Sequence, residues 1–269
     1  MTLKDIKNMW RKKEVDTAAS VALWDTKAAA FAYKEPPTSE NNLTMKLIED
    51  NHMITEGSRV LDVGCGGGRF SFALEKMGAS VKGIDFSPKM IEECEKVKEK
   101  NNSSAEFKVC DWENVSLQEE GEEHKYDLVL ANMTPAVCSA ETFMKLSEAS
   151  KNWCIFVKHT RRTREVFDRL CSHLDIDNDN STDDALAYSF CLLWKLGYKP
   201  QVSYKDEVWE SEQSLEEITK EYILRLEMKK KITEEEKQKA ADFLASLSND
   251  GKLKEITNTT IAAIYWQVK

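Results

Sequence analysis

The chain has 269 residues and a net charge of -9, with 38 Lys and Arg against 47 Asp and Glu. That length suits one large domain with additions, and the acidic balance argues against a broad nucleic-acid-binding face, whose affinity comes from neutralising phosphates. Its 7 cysteines form no C-x-x-C pair, which speaks against a disulfide framework or a zinc site. Together with a charged start and the lack of a bilayer-length apolar run, they lead us to expect a cytoplasmic protein without membrane spans.

Residues 1–33 carry apolar residues at helical spacing, among them Trp24, Ala28 and Phe31. The stretch KEPPTSENN (34–42) breaks that pattern with two prolines. A short helix through Leu43, Leu47 and Ile48 follows, and then a regular alternation begins. RVLDV is a buried strand, RFSFALEKM a helix closed by Gly78, and SVKGID a second strand. Ser87 and Pro88 open the next helix as N-cap and first-turn proline. EFKVC, YDLVLA and WCIFV are strands three to five, with a helix through Phe143 and Leu146 between the last two. Strands alternating with helices imply a parallel sheet. Beyond residue 160 we expect a basic turn, KHTRRTR, then a helix through Val166 and Leu170, an acidic loop, and a helix over 183–196. KPQVSYKDEVW and TTIAAIYWQV are the last strands. Between them, an insertion over 210–252 holds two helices with capping boxes, Ser214 to Glu217 and Thr233 to Glu236.

The chemistry concentrates in VLDVGCGGGRF, residues 60–70. A strand feeding a helix through a glycine turn offers free N–H groups and the positive end of a helix dipole. The dinucleotide fingerprint G-x-G-x-x-G does not fit, because Arg69 or Ser71 stands where its third glycine belongs. The G-K-[ST] phosphate loop is absent too. What fits is an acid followed by alternating glycines: Asp62, Gly64, Gly66 and Gly68, with Cys65 inside the run. In this motif the sequence resembles the class I S-adenosylmethionine-dependent methyltransferases, small-molecule type.

The resemblance implies a three-layer, Rossmann-like α/β fold. Its seven-stranded, mostly parallel sheet has one reversed strand, TTIAAIYWQV. S-adenosyl-L-methionine is the implied cofactor. Asp62 would orient its ammonium group, and the glycine backbone would pass beside the ribose and methionine portion. Asp85, ending strand two, would accept from the ribose hydroxyls, with Phe86 flanking the adenine. Asp111 and Trp112 would meet the adenine amino group and ring; the competing reading makes them a turn acid and a core-edge aromatic. Asn132 and Thr134, after strand four, would lie under the sulfonium. LWDTKAAAF (23–31) resembles the helical lid of small-molecule members, so residues 1–42 form the expected lid and 43–269 the methyltransferase domain. Tyr33 in the lid, Thr134, His159 as a proton acceptor, and Arg161 within an anion clamp are the substrate candidates; a solvated basic turn is the competing reading for the last two.

The expected reaction is in-line methyl transfer to a small molecule. An RNA or protein methyltransferase and a non-catalytic cofactor-binding partner protein remain as alternatives. The first lacks the N-P-P-[YF] motif of base amino-methylation, since the chain has Asn132-Met133-Thr134-Pro135. We expect no nucleic-acid partner, no membrane partner and no metal.

Overall fold

The computed structural model describes residues 2–11, 21–26, 28, 35–178 and 182–268. Seven strands form one sheet in the order β3-β2-β1-β4-β5-β7-β6. They are β1 (Arg59–Val63), β2 (Ser80–Asp85), β3 (Glu106–Val109), β4 (Tyr126–Asn132), β5 (Ser150–Arg164), β6 (Gln201–Ser214) and β7 (Lys252–Gln267). β1 to β5 pair in parallel, and β7 runs antiparallel to both β5 and β6. The reversed strand is the expected one.

Helices cover both faces. On one side lie α1 (Leu3–Met9), α5 (Ala140–Ala149) and α7 (Thr182–Lys195), over a core of Phe143, Phe156 and Trp266. On the other lie α2 (Leu43–Asp50), α3 (Arg69–Lys76) and α4 (Pro88–Asn101), over Phe72, Leu74, Leu128 and Ile155. Ser87 caps α4, its hydroxyl accepting from Met90 N, with Pro88 at the first turn. The switch point where β1 sits between β2 and β4 puts a crevice at their carboxyl ends, where open α/β sheets bind ligands.

Two expectations need correction. KHTRRTR is not a turn, because β5 runs on through Arg164 and pairs with β7 from Thr160↔Thr260 to Arg164↔Thr257. The β-branched run ITNTTI of β7 holds this polar segment in the ladder. A register shift between Thr160 and Thr163 absorbs one extra residue, and Arg161 there takes φ 49°. The insertion is likewise shorter than 210–252. β6 extends to Ser214 and β7 starts at Lys252, leaving α8 (Leu215–Glu227) and α9 (Glu234–Leu247) between them. Both capping boxes are formed. With α6 (Glu165–His173), these helices share a separate core of Phe167, Leu170, Tyr222, Leu226 and Leu244. The lobe therefore recruits α6, which the sequence reading left outside it.

Candidate active site

The glycine turn follows β1 directly. Gly64, Gly66 and Gly68 all take positive φ, at 69°, 54° and 76°. Their surroundings differ. A Cβ on Gly64 would lie 1.9 Å from Thr134 Oγ1, so this glycine lets the β4 loop close over β1. Gly68 precedes α3 and packs against Phe72, Cys94 and Phe107. Beside Gly66, among the described residues, nothing lies within 4 Å of where a Cβ would stand. It is the one member of the motif that borders open space.

Two buried acids lie at the carboxyl ends of the strands beside this turn. Asp85 is buried at the end of β2. It accepts from Gly66 N at 3.0 Å and from Ser87 N at 2.9 Å. Burial raises its pKa, while the Ser87, Gly66 and Phe86 amides pull the other way. Asp62 is 2% exposed and takes a 2.6 Å hydrogen bond from Ser71 Oγ. Burial pushes its pKa up to about 6, opposed by the Ser71 hydrogen bond. A buried carboxylate with a raised pKa favours a cation beside it. Cys65 is half-buried, its thiol pushed well up by a hydrogen bond with Cys94 and by burial. Phe86 is half-buried next to Asp85.

Asn132 ends β4 and accepts from Thr44 Oγ1 of α2 at 2.9 Å. Thr134 is buried, and its hydroxyl accepts from Ala136 N. Asp111 is exposed and closes its own turn, accepting from Glu113 N and Asn114 Nδ2. Trp112 is a correction. It is 2% exposed, donates its indole N–H to Thr142 O at 2.9 Å, and lies under the Lys145 ammonium. Its ring is spent on the core and leaves no face for an adenine. His159 is half-buried inside β5, and its pKa is driven down to about 3 by burial and then by Arg162, Lys158, Arg164 and Arg225. It is neutral near pH 7 but holds a proton too weakly to serve as the base the sequence suggested. Arg161 sits exposed on the bulge. Tyr33 lies outside the described residues.

The sequence reading missed three residues. Asp25, in the helical segment 21–26, accepts a 2.6 Å hydrogen bond from Ser87 Oγ and acts electrostatically on Asp85. Arg69 Nε donates to Glu35 O, so the chain leaving that segment is also tied to the start of α3. Asp25 falls within LWDTKAAAF but was hidden among apolar residues that drew attention to packing. Thr44, the partner of Asn132, gave no signal beyond opening a helix.

A family model described as a methyltransferase domain matches residues 54–240, most of the chain. The chain belongs to the class I S-adenosylmethionine-dependent methyltransferase family. Among curated relatives of this methyltransferase, the ribosomal protein L11 methyltransferase of Dictyoglomus thermophilum is 38% identical over 99 residues, 36% of this chain and 29% of that protein. The ubiquinone biosynthesis O-methyltransferase of Pelagibacter ubique is 27% identical over 175 residues, 60% of this chain and 69% of that one. The chain spans less than a third of the length of the L11 methyltransferases it matches. Two solved structures share the fold. A Haemonchus contortus phosphoethanolamine N-methyltransferase 2, in complex with phosphomonomethylethanolamine and S-adenosylhomocysteine, matches with TM-score 0.50 at 15% identity, over 99% of this chain and 60% of that one. The YcgJ protein of Bacillus subtilis matches with TM-score 0.51 at 14% identity, over 83% of this chain and 97% of that one. No helix among the described residues is long and apolar enough to cross a membrane.

Proposed function

We propose that this methyltransferase transfers the methyl group of S-adenosylmethionine to a small-molecule acceptor. The observation that carries the reading is the open space at Gly66, whose amide is held by Asp85, next to a strand that buries Asp62. The family's cofactor matches that chemistry: a cationic amino-acid tail, a ribose diol and no pyrophosphate. When bound, S-adenosylmethionine supplies an electrophilic methyl on a sulfonium with a good leaving group.

The chain's residues then bind and align. Gly64 and Gly66 give backbone access, and Asp62 faces the ammonium group. Asp85, oriented by the Gly66 and Ser87 amides, accepts from the ribose, and Phe86 flanks the adenine. Asp111 remains the candidate acceptor for the adenine amino group. Asn132 and Thr134 form the floor where the acceptor meets the methyl, with Asn132 held by Thr44. Positioning of this kind can supply roughly 7–11 kcal/mol.

Of the expected lid, residues 1–42, the segment 21–26 takes that role in this proposal, because α1 and Trp10 pack against Phe143 and Phe156 of the sheet core. The Asp25–Ser87 hydrogen bond supports it, because it ties the segment 21–26 to the strand end that carries Asp85. Leu23 and Ala28 are buried, giving the segment an anchored apolar side.

The acidic net charge and the ubiquinone O-methyltransferase match, which covers 69% of that relative, favour a small acceptor. A protein acceptor is the second reading, favoured by the L11 methyltransferases; their match spans only 99 residues in the first case. Incubation with labelled S-adenosylmethionine and either a metabolite pool or ribosomal protein separates the two. Label in small molecules supports the proposal, and label only in protein contradicts it.

A further inference from the structure

The loop after β4 folds back over the end of β5. Met133 takes φ 51°, a left-handed conformation uncommon outside glycine, and its amide donates to Val157 O at 2.8 Å. This turn sets Thr134 between two neighbours. Its side chain closes on Gly64 of the glycine turn, where a Cβ would lie 1.9 Å from Thr134 Oγ1. Its carbonyl accepts from Lys158 Nζ at 2.5 Å. Lys158 follows Val157, the residue level with Asn132 in the β4–β5 ladder. A single residue, Thr134, thus separates the Lys158 amine from the glycine turn.

The amine is held in apolar surroundings. Lys158 is half-buried, and its Nζ lies 5.4 Å from the centre of the Phe156 ring, which Trp10 at the end of α1 backs at 6.3 Å. Its partner on β7 is Ala262, and α7 brings Tyr188 against Trp10. Among the described residues, the titratable groups coupled to its charge are the Cys138 thiol, in the same loop as Thr134, and His159, the next residue of β5. Burial outweighs the opposing Cys138 and brings the pKa of the ammonium down from 10.5 to about 8. A strong ion pair would push it the other way. Near pH 7, roughly a tenth of the chains then carry a neutral amine here, against less than about a thousandth for an ordinary lysine. The hydrogen bond to Thr134 O uses one N–H in either state. When the proton leaves, the freed lone pair becomes an acceptor held near the end of β4.

We propose that Lys158 is the general base of the transfer, its neutral amine taking the proton of the acceptor's O–H or N–H as the methyl arrives. This rests on the methyl-transfer reading, which puts the acceptor over Asn132 and Thr134. The acceptor's oxygen or nitrogen forms a bond to the methyl carbon. The carbon–sulfur bond breaks, and its electron pair stays on sulfur as S-adenosylhomocysteine forms. The proton left on the acceptor passes to Lys158 Nζ, and water takes it once the product has gone. The acceptor is therefore a hydroxyl or amine that bears a proton, not a thioether or a tertiary amine. A base whose pKa lies close to the working pH both accepts and releases the proton readily. Lys158 takes the part that the sequence assigned to His159, its neighbour, whose side chain points to the opposite face of the sheet.

Two measurements on the full chain test this. The first is an NMR titration of lysine-labelled protein across neutral and alkaline pH. The Lys158 signal, assigned by its absence from Lys158→Met or Lys158→Arg, should titrate at about 8. S-adenosylmethionine carries a positive charge on sulfur that S-adenosylhomocysteine lacks. It should therefore lower the proton affinity of Lys158 at least about threefold relative to S-adenosylhomocysteine. The same midpoint with both ligands bound places the amine away from the transferred methyl and overturns the role of Lys158 alone. The second measurement follows label from S-adenosylmethionine into a deproteinised metabolite pool. The wild-type rate should climb with pH and level off above about 8. Lys158→Arg keeps the charge but cannot give up its proton. It and Lys158→Met should transfer at least about a hundredfold more slowly, with S-adenosylhomocysteine affinity within twofold of wild type. Lys239→Arg, on the exposed side of α9, is the control and should match wild type. Transfer by Lys158→Arg at the wild-type rate overturns the base. No binding of either ligand by wild type, or no label in small molecules, overturns the methyl-transfer reading instead, and the base with it. The paired wild-type titrations keep the test decisive even if one Lys158 variant folds poorly.

Discussion

Gly64 and Gly66 share a left-handed backbone but differ in what a side chain there would meet. At Gly64 it would strike Thr134, and at Gly66 it would enter open space. Asparagine tolerates positive φ better than other side chains. Gly66→Asn should therefore fold with a melting temperature within a few degrees of wild type and lose at least tenfold in S-adenosylhomocysteine affinity. Gly64→Ala should instead destabilise the fold by about 1–3 kcal/mol, as an overpacked site does. Thermal melts and calorimetry on both variants check the pair. Asp62 gives a second contrast. Its pKa of about 6, against an ordinary 3.8, means that the folded state holds the proton more tightly than the unfolded state. Its favourable contribution is full below pH 3.8 and is lost as pH rises through about 6, a difference of about 3 kcal/mol. Asp62→Asn should thus stabilise the free protein at pH 7 by up to about 3 kcal/mol, seen in denaturant unfolding. The same change should weaken S-adenosylmethionine, because the ammonium loses its counter-charge. In the wild type, affinity should fall as pH drops below about 6.

At the scale of elements, the N-terminal segment and the accessory lobe behave differently. Residues 21–26 contact the cap of α4 through Asp25, and Leu23 and Ala28 are buried. Hydrogen exchange there should slow when S-adenosylhomocysteine binds, and Asp25→Ala should remove most of that slowing. Equal exchange with and without ligand would return the segment to plain packing. The lobe has its own core, so Leu226→Ala, at a fully buried position, should cost about 2–5 kcal/mol. Amide exchange in α6, α8 and α9 should report that loss first. These elements also mark what was readable beforehand. β1, β2, β4 and the first half of β5 are apolar runs between helical patterns, so the parallel sheet and its motif were legible. The outer part of β5, KHTRRTR, is rich in charge and reads as a turn, and the end of β6, ESEQS, reads as the start of the insertion, although KPQVSYKDEVW before it reads as a strand. They are strands because β7 lies between them, and that pairing spans long separations in the chain. Trp112 was misplaced for a related reason. An aromatic after an acid at a strand end looks the same whether it faces a ligand or the core, and only the Thr142 carbonyl decides.

Across the whole molecule, the sheet order sets an acidic group apart from a basic one. The Asp62, Gly66 and Asp85 group lies at the switch point, and the arginines of β5 lie toward the lobe. Three separate cores hold these parts: one under each face of the sheet and one inside the lobe. A ligand at the switch point touches the chain near β1, β2 and β4, so it should stabilise the sheet as one unit. At a hundredfold excess over its dissociation constant, the gain is about 2.7 kcal/mol. The measurement that bears most directly on the account is calorimetric titration of the wild-type chain with S-adenosylhomocysteine, alongside NAD. One molecule of S-adenosylhomocysteine should bind per chain, with no heat from NAD. No binding of S-adenosylhomocysteine, or binding of NAD in its place, would contradict the assignment of the Gly66 crevice.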